Sequence, residues 1–228
     1  MLRVYRREAQ LLIEEGATPR QVDTALEDWG MALGPFATQD LAGIDIAMSS
    51  RTVFSQFEKP SVRAPRVIEK LYALGRYGQK TGAGWYRYDE KRNGLPDPVV
   101  DGLISDAARE AGVRRREISA AEIIERTIYA LINEGARILE DGHALRSSDI
   151  DIVYLHGYGF PRYRGGPMRY ADSVGLRVIC ERVREFRRAF GEMWGIASML
   201  ERLDSAHETF AEWDAQRESK AAALAGTK

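Results

Sequence analysis

The 228 residues are enough for one large domain or two small ones, because domains commonly run to about 100–200 residues. With 44% hydrophobic and 29% charged residues the composition supports a packed core and excludes global disorder. The net charge of −1 provides no overall field that would draw the whole chain to nucleic acid or a membrane surface.

The N-terminal stretch Met1 to Gln10 is rich in arginine, has no apolar signal core and carries Glu8. It reads as the start of a helix rather than as a transit peptide. Leu2, Tyr5, Ala9, Leu12 and Ile13 share one helical face, and Gly16 stops that helix. Thr18, Pro19 and Gln21 then supply an N-cap, a first-turn proline and a third-position glutamine for a second helix with Val22, Ala25, Leu26 and Trp29 on its apolar stripe. A longer helix is expected from near Asp40 towards Phe57. Another, capped by Ser61, carries Val62, Val67, Ile68, Leu71 and Leu74 up to Gly75.

From Gly75 to Gly94 glycines alternate with Trp85, Tyr86 and Tyr88, the composition of a structured loop with a short extended piece. Asp97-Pro98 caps a helix ending near Gly112, and Ser119 with Glu122 forms a second capping box for a helix through Ile123, Ile128, Ile132 and Leu139. Ser147 or Ser148 is expected to cap a short helix. After it come a glycine- and proline-rich loop from Tyr158 to Pro167, a helix from about Met168, and one or two more to a polar end that frays from Ser219. No convincing sheet emerges, so the fold class is all-α. No apolar run approaches the roughly 20 residues that span a bilayer. The single cysteine, Cys180, excludes an intramolecular disulfide, fits a reducing compartment and reads as core.

The chain also repeats itself. Glu14-Glu15-Gly16 and Glu140-Asp141-Gly142 both close a helix, and Asp23 and Asp149 each sit seven residues after those glycines. Gly34-Pro35 pairs with Gly166-Pro167, Asp40 with Asp172 and Gly43 with Gly175, the second copy carrying a six-residue insertion near His156 to Arg164. Each copy alone would have a thin core. Two copies about a pseudo-two-fold axis would bury their apolar faces mutually, as a homodimer does.

Several stretches resemble a known family. Gly34-Pro35-Phe36 followed by Asp40 to Asp45, and the loop Gly75 to Tyr86, are similar to the C-terminal domain of 3-hydroxyacyl-CoA dehydrogenases. Leu131 to Ala136, Asp149-Ile150-Asp151 and, most specifically, Gly157 to Met168 resemble the second copy found in bacterial and peroxisomal multifunctional β-oxidation enzymes. The resemblance runs from Met1 to about Trp213. It implies two tandem helical domains of the 6-phosphogluconate-dehydrogenase-C-terminal-like type: residues 1–95, a connecting helix and linker over 96–118, and residues 119–228.

It further implies NAD-dependent oxidation of a 3-hydroxyacyl-CoA, with NAD and a catalytic His–Glu pair held by an upstream Rossmann domain, in cis or in trans. The family's substrate-holding asparagine would fall just before Met1. The chain is therefore expected to be either a piece of a longer protein or a split subunit, inactive and without NAD when alone. A non-catalytic helical scaffold is the alternative. Acyl-CoA is the implied substrate partner and a homo-oligomer is compatible with the fold. The implied location is the cytoplasm in a bacterium and the peroxisome in a eukaryote.

No catalytic group is assigned to the chain itself. Gly82-Ala83-Gly84 and Gly157-Tyr158-Gly159 lack the third glycine of a dinucleotide fingerprint, with Arg87 and Arg162 in its place. Gly78 to Gly82 lacks the spacing of a phosphate loop. His143, His156 and His207 are scattered without metal-ligand spacing. Asn133 reads as a buried structural hydrogen bonder, and Arg177 to Arg188 as a solvated face laced by Glu181 and Glu185. The candidates for the substrate cleft or a domain contact are Lys80, Arg162, Arg164, Gly165 and Gly166. Loop arginines off a helical face suit a CoA phosphate.

Overall fold

Helices start where the sequence provides a cap. Thr18 accepts from the Gln21 amide at 3.1 Å and opens α2 (Pro19–Trp29), after Gly16 has ended α1 (Leu2–Glu15). Asp97 accepts from Val99 N at 3.0 Å to open α6 (Pro98–Glu110), and Ser119 accepts from Glu122 N at 3.1 Å to open α7 (Ala120–Glu140). The computed structural model describes residues 1–54 and 63–225. Among them lie twelve α-helices and a single ribbon in which β1 (Arg87–Tyr88) pairs antiparallel with β2 (Gly94–Leu95). The chain is all-α.

Four elements depart from the sequence reading. The helix expected from Asp40 begins earlier and is broken: α3 (Pro35–Ala42) ends at Gly43, and α4 (Ile44–Phe54) follows. Gly43 sits at φ 106°, ψ 127°, which a helix cannot continue through. Phe57, Ser61 and Val62 fall outside the described residues, and α5 (Val67–Ala73) starts at Val67. Neither serine caps α8 (Ser147–Gly157). Arg146 holds the cap position with its amide on Asp149 Oδ2 at 3.0 Å, while Ser147 gives its amide and hydroxyl to Asp214. After α9 (Pro167–Val174) come three helices rather than one or two: α10 (Leu176–Phe190), α11 (Ser198–Ala206) and α12 (Phe210–Ala225). The last enters the stretch expected to fray and runs to Ala225, where the described residues end.

The chain divides into two compact units, Tyr5–Thr127 and Met1–Val4 with Ile128–Lys228. The first is built on Leu12, Val22, Leu26, Ile44, Leu71 and an edge-on Phe36–Trp85 pair with ring centroids 4.6 Å apart. The second is built on Ile132, Met168, Ile179, Val183, Leu200 and the Phe186–Trp194 pair at 4.7 Å. Cys180 lies in that second core, and burial pushes its thiol up to about 12. The solvated face of α10 is laced as its spacing predicts, by Arg177–Glu181 at 3.4 Å and Arg182–Glu185 at 2.6 Å.

The first unit also encloses charge. Arg126 on α7 has a side chain with no solvent exposure and donates to Glu8 and Glu15 of α1. Burial alone would lower the arginine, but the two carboxylates outweigh it and its pKa is raised. Burial also raises Glu8, against the pull of Arg126 and Arg7. The amphipathic stripe read for α1 is therefore incomplete, since Glu8, Gln10, Glu14 and Glu15 are buried on its other faces. Glu14 is taken up by the Arg63 guanidinium and by Arg66 N at 2.7 Å.

Candidate functional site

In the unit Tyr5–Thr127 two aspartates fasten the glycine-aromatic loop to α3. Asp23, on α2, accepts from Phe36 N and Ala37 N, both at 2.9 Å, at the start of α3. The Tyr86 hydroxyl donates to the same carboxylate at 2.7 Å. Asp40, on α3, accepts from Trp85 N at 2.9 Å, Tyr86 N at 3.0 Å and the Tyr88 hydroxyl at 2.9 Å. Glycines make room for both carboxylates. A Cβ at Gly34 would lie 2.2 Å from Asp23 Cγ, and one at Gly84 would lie 2.0 Å from Asp40 Oδ1.

The second unit repeats this arrangement. Asp151, on α8, accepts from Met168 N at 2.7 Å and Arg169 N at 3.1 Å at the start of α9. Asp172, on α9, accepts from Phe210 N at 2.8 Å and Ala211 N at 3.1 Å. Gly43 and Gly175 share the same backbone conformation, φ 106°, ψ 127° and φ 94°, ψ 123°. The counterpart of Asp23 is thus Asp151, not Asp149. Part of the second copy's insertion precedes this aspartate and part follows it, which the count from Gly142 could not reveal. Tyr86 and Tyr88 have Ala211 and Trp213 as counterparts when counted from the capped amides, so the second copy lacks the hydroxyl donors.

Burial pushes Asp23, Asp40 and Asp151 up to about 6, against the opposing pull of their amide and, in the first unit, hydroxyl donors. A folded-state pKa raised from 3.8 means that the folded chain binds protons the unfolded chain has released. The stability these groups contribute is complete below the unfolded value and is lost as pH rises through about 6. Carbon-detected NMR titration of the aspartate carboxyls is expected to give three midpoints near 6 in the folded chain, falling to near 3.8 in urea. Folded midpoints near 3.8 for all three would show that the amide donors cancel the burial.

The sequence-derived candidates fall in both units. Lys80 stands in the 3₁₀ turn Gln79–Thr81 with Nζ at 2.6 Å from both carboxylate oxygens of Asp45, at the start of α4. That contact holds the Asp45 carboxyl below its ordinary range. In the other unit Arg162 and Arg164 occupy a 3₁₀ turn that ends at Gly165 in left-handed conformation, φ 79°. The Arg164 guanidinium lies over the Tyr163 ring at 5.0 Å and the Tyr170 ring at 5.3 Å. Gly166 stands at φ 103°, where an added Cβ would be 2.4 Å from Asp151 Oδ1. The stem of Arg169 crosses Gly165, with Cγ 2.6 Å from where a Cβ would be.

Tyr163, Arg169 and Tyr170 were not singled out in the sequence. The usable signal was that no acidic residue occurs from Ile152 to Ala171, a stretch holding three arginines. Asn133 is the structural bonder expected, donating to Gly195 O at 2.9 Å and accepting from Ala197 N at 2.8 Å. The three histidines are exposed, and among the described residues no group of three or more His, Cys, Asp or Glu could hold a metal ion.

The glycine pairs do not fit a dinucleotide. Gly84 is small because Asp40 fills the space beside it, and Gly157 closes α8 instead of opening a helix towards a pyrophosphate. The polar groups that converge in each unit cap helices and pin loops, which orients those loops.

The pattern of the family described as "3-hydroxyacyl-CoA dehydrogenase, C-terminal domain" matches residues 1–88 and 123–212. A peroxisomal bifunctional enzyme of Danio rerio is 43% identical over 206 residues, which make up 85% of this chain and 29% of that protein. The peroxisomal fatty acid beta-oxidation multifunctional protein MFP2 of Arabidopsis thaliana is 36% identical, covering 86% of this chain and 28% of its own length. The chain thus spans less than a third of these relatives. The dehydrogenase part of multifunctional enzyme 1 from C. elegans matches in structure with a TM-score of 0.69 and 27% identity, over 88% of this chain and 45% of that one. A 3-hydroxybutyryl-CoA dehydrogenase from Escherichia coli shares the fold at a TM-score of 0.68 and 20% identity, over 90% of this chain and 59% of that one.

Proposed function

Because the chain belongs to the family of 3-hydroxyacyl-CoA dehydrogenase C-terminal domains, we propose that it is the substrate-side helical part of an NAD-dependent 3-hydroxyacyl-CoA dehydrogenase of fatty-acid β-oxidation. The observation that carries this reading is the family pattern occurring over two segments of one chain that is 43% identical to a peroxisomal bifunctional enzyme. The two segments fall within residues 1–95 and 119–228, taken as the two copies, with 96–118 joining them.

On this reading the chain's own residues bind and orient. Asp23 and Asp40 hold the loop bearing Lys80 to its helices, and Asp151 fixes the end of the Arg162 to Gly166 loop at the start of α9, so that those loops meet an acyl-CoA as fixed surfaces. NAD belongs on a nucleotide-binding domain, since the glycine pairs here do not fit it. That domain would supply the base for the hydroxyl proton, and the NAD it holds would serve as the hydride acceptor for oxidation of the 3-hydroxyacyl group. The Danio rerio and Arabidopsis thaliana relatives are peroxisomal, and this chain takes the same place in a eukaryote or a cytoplasmic one in a bacterium.

The test is oxidation of a 3-hydroxyacyl-CoA with NAD by the chain alone, by the nucleotide-binding domain of a relative alone, and by the two mixed. Turnover only in the mixture is the expected result. Turnover by the chain alone, or none in a mixture of two folded partners, overturns the reading; the second outcome leaves a helical scaffold.

A further inference from the structure

We propose that the turn Arg162–Arg164, with Tyr163 and Arg169, binds the phosphorylated nucleotide end of coenzyme A. This rests on the reading of the chain as part of an acyl-CoA enzyme and gives that substrate a specific point of attachment.

The case begins with charge. The chain as a whole carries −1, yet from Ile152 to Ala171 it holds three arginines and no acidic residue. The aspartates that bracket the stretch are already engaged: Asp151 accepts from the amides of Met168 and Arg169, and Asp172 from those of Phe210 and Ala211. Among the described residues neither Arg162 nor Arg169 forms an ion pair, and both are exposed. The stretch itself therefore carries a net positive charge, with Asp172 acting on Arg169 through space only.

The second strand of the argument is placement. Arg164 is oriented by its contacts with Tyr163 and Tyr170, at 5.0 and 5.3 Å. Gly165 and Gly166 leave room for the Arg169 stem and the Asp151 carboxylate respectively, so the turn and the first residues of α9 form one surface. Tyr163 is 74% exposed, with the Arg164 guanidinium over its ring. An exposed aromatic ring stacked with one forked cation, with two further arginines in the same turn and the first turn of α9, suits a ligand that joins a planar base to phosphates, which is the nucleotide end of coenzyme A.

The internal repeat provides the comparison. The first copy makes the same connection between capping aspartate and capped helix, from Asp23 to Pro35. There the path is shorter and carries Glu27 and Asp28 with no arginine. The cap is common to both copies, so the cap does not require the arginines. They belong to what the second copy does in addition.

The experiment is calorimetric titration of the full chain with coenzyme A, dephospho-coenzyme A lacking the 3′-phosphate, and pantetheine lacking the nucleotide. Binding is expected in that order of strength. Arg162→Glu and Arg169→Glu should each weaken coenzyme A by about tenfold or more while leaving the melting temperature in place. Tyr163→Ala should weaken coenzyme A and dephospho-coenzyme A alike. Coenzyme A binding no tighter than pantetheine, or unchanged in both glutamate variants, overturns the assignment.

The reconstituted dehydrogenase separates this failure from failure of the functional reading. Turnover with an unchanged KM for acyl-CoA in Arg162→Glu removes the patch and keeps the enzyme. Arginine-dependent coenzyme A binding without any reconstituted turnover keeps the patch and removes the enzyme.

Discussion

Replacing Arg126 with methionine is expected to lower the unfolding free energy by about 3–5 kcal/mol, because it strands buried carboxylates without their counter-charge. The arginine side chain is fully buried, and its guanidinium serves Glu8 and Glu15 at once. Glu8 is itself fully buried, so water cannot take the place of the lost donors. The double change Arg126→Met with Glu8→Gln should recover part of the loss, since a neutral amide is far less costly to bury than a charge. Urea unfolding of the two variants beside the parent measures both steps.

The pH dependence identifies the cause. In Arg126→Met the Glu8 carboxyl, already raised by burial, loses the arginine that pulls it down and rises further. A raised folded-state pKa gives stability that is present in acid and is lost as pH rises through it. The deficit of the variant should therefore widen from acid to neutral pH. A deficit independent of pH would assign it to lost packing of the arginine stem.

This cluster also marks how far the sequence could be read. The caps at Thr18, Asp97 and Ser119 were legible because donor and acceptor lie within three residues of one another. Arg126 meets Glu8 and Glu15 across 118 and 111 residues, and no periodicity along α1 could indicate that its charged faces are enclosed. The same reason explains Ser147, which looks like a local cap but is claimed by Asp214, 67 residues away. The family resemblance and the repeat were legible as well, but the repeat was counted along the chain. Asp149 keeps the spacing of Asp23, whereas Asp151 keeps its hydrogen bonds. Of the candidate site, Arg162 and Arg164 could be picked out by loop and charge. Tyr163, Tyr170 and Arg169 needed the fold to bring them to the same turn.

The shared cap also predicts a glycine that should tolerate change poorly. Gly166→Ala is expected to cost about 2–5 kcal/mol, from backbone strain and steric overlap together. Gly166 lies at φ 103°, ψ 170°, a region essentially reserved for glycine, and its Cβ would stand 2.4 Å from Asp151 Cβ and Oδ1. Gly82→Ala is the matched control: φ is 73°, nothing lies within 4 Å of the added carbon, and only a left-handed backbone must be tolerated. Its cost should be about 1–2 kcal/mol. A double-mutant cycle resolves the two parts at Gly166. In a chain that already carries Asp151→Gly the overlap is gone and the cap is lost, so adding Gly166→Ala should cost only the backbone part, about 1–3 kcal/mol. If the alanine costs the same in both backgrounds, the aspartate does not set the glycine. The second copy would then need some other reason for keeping Gly166 at the point where its arginine turn joins α9.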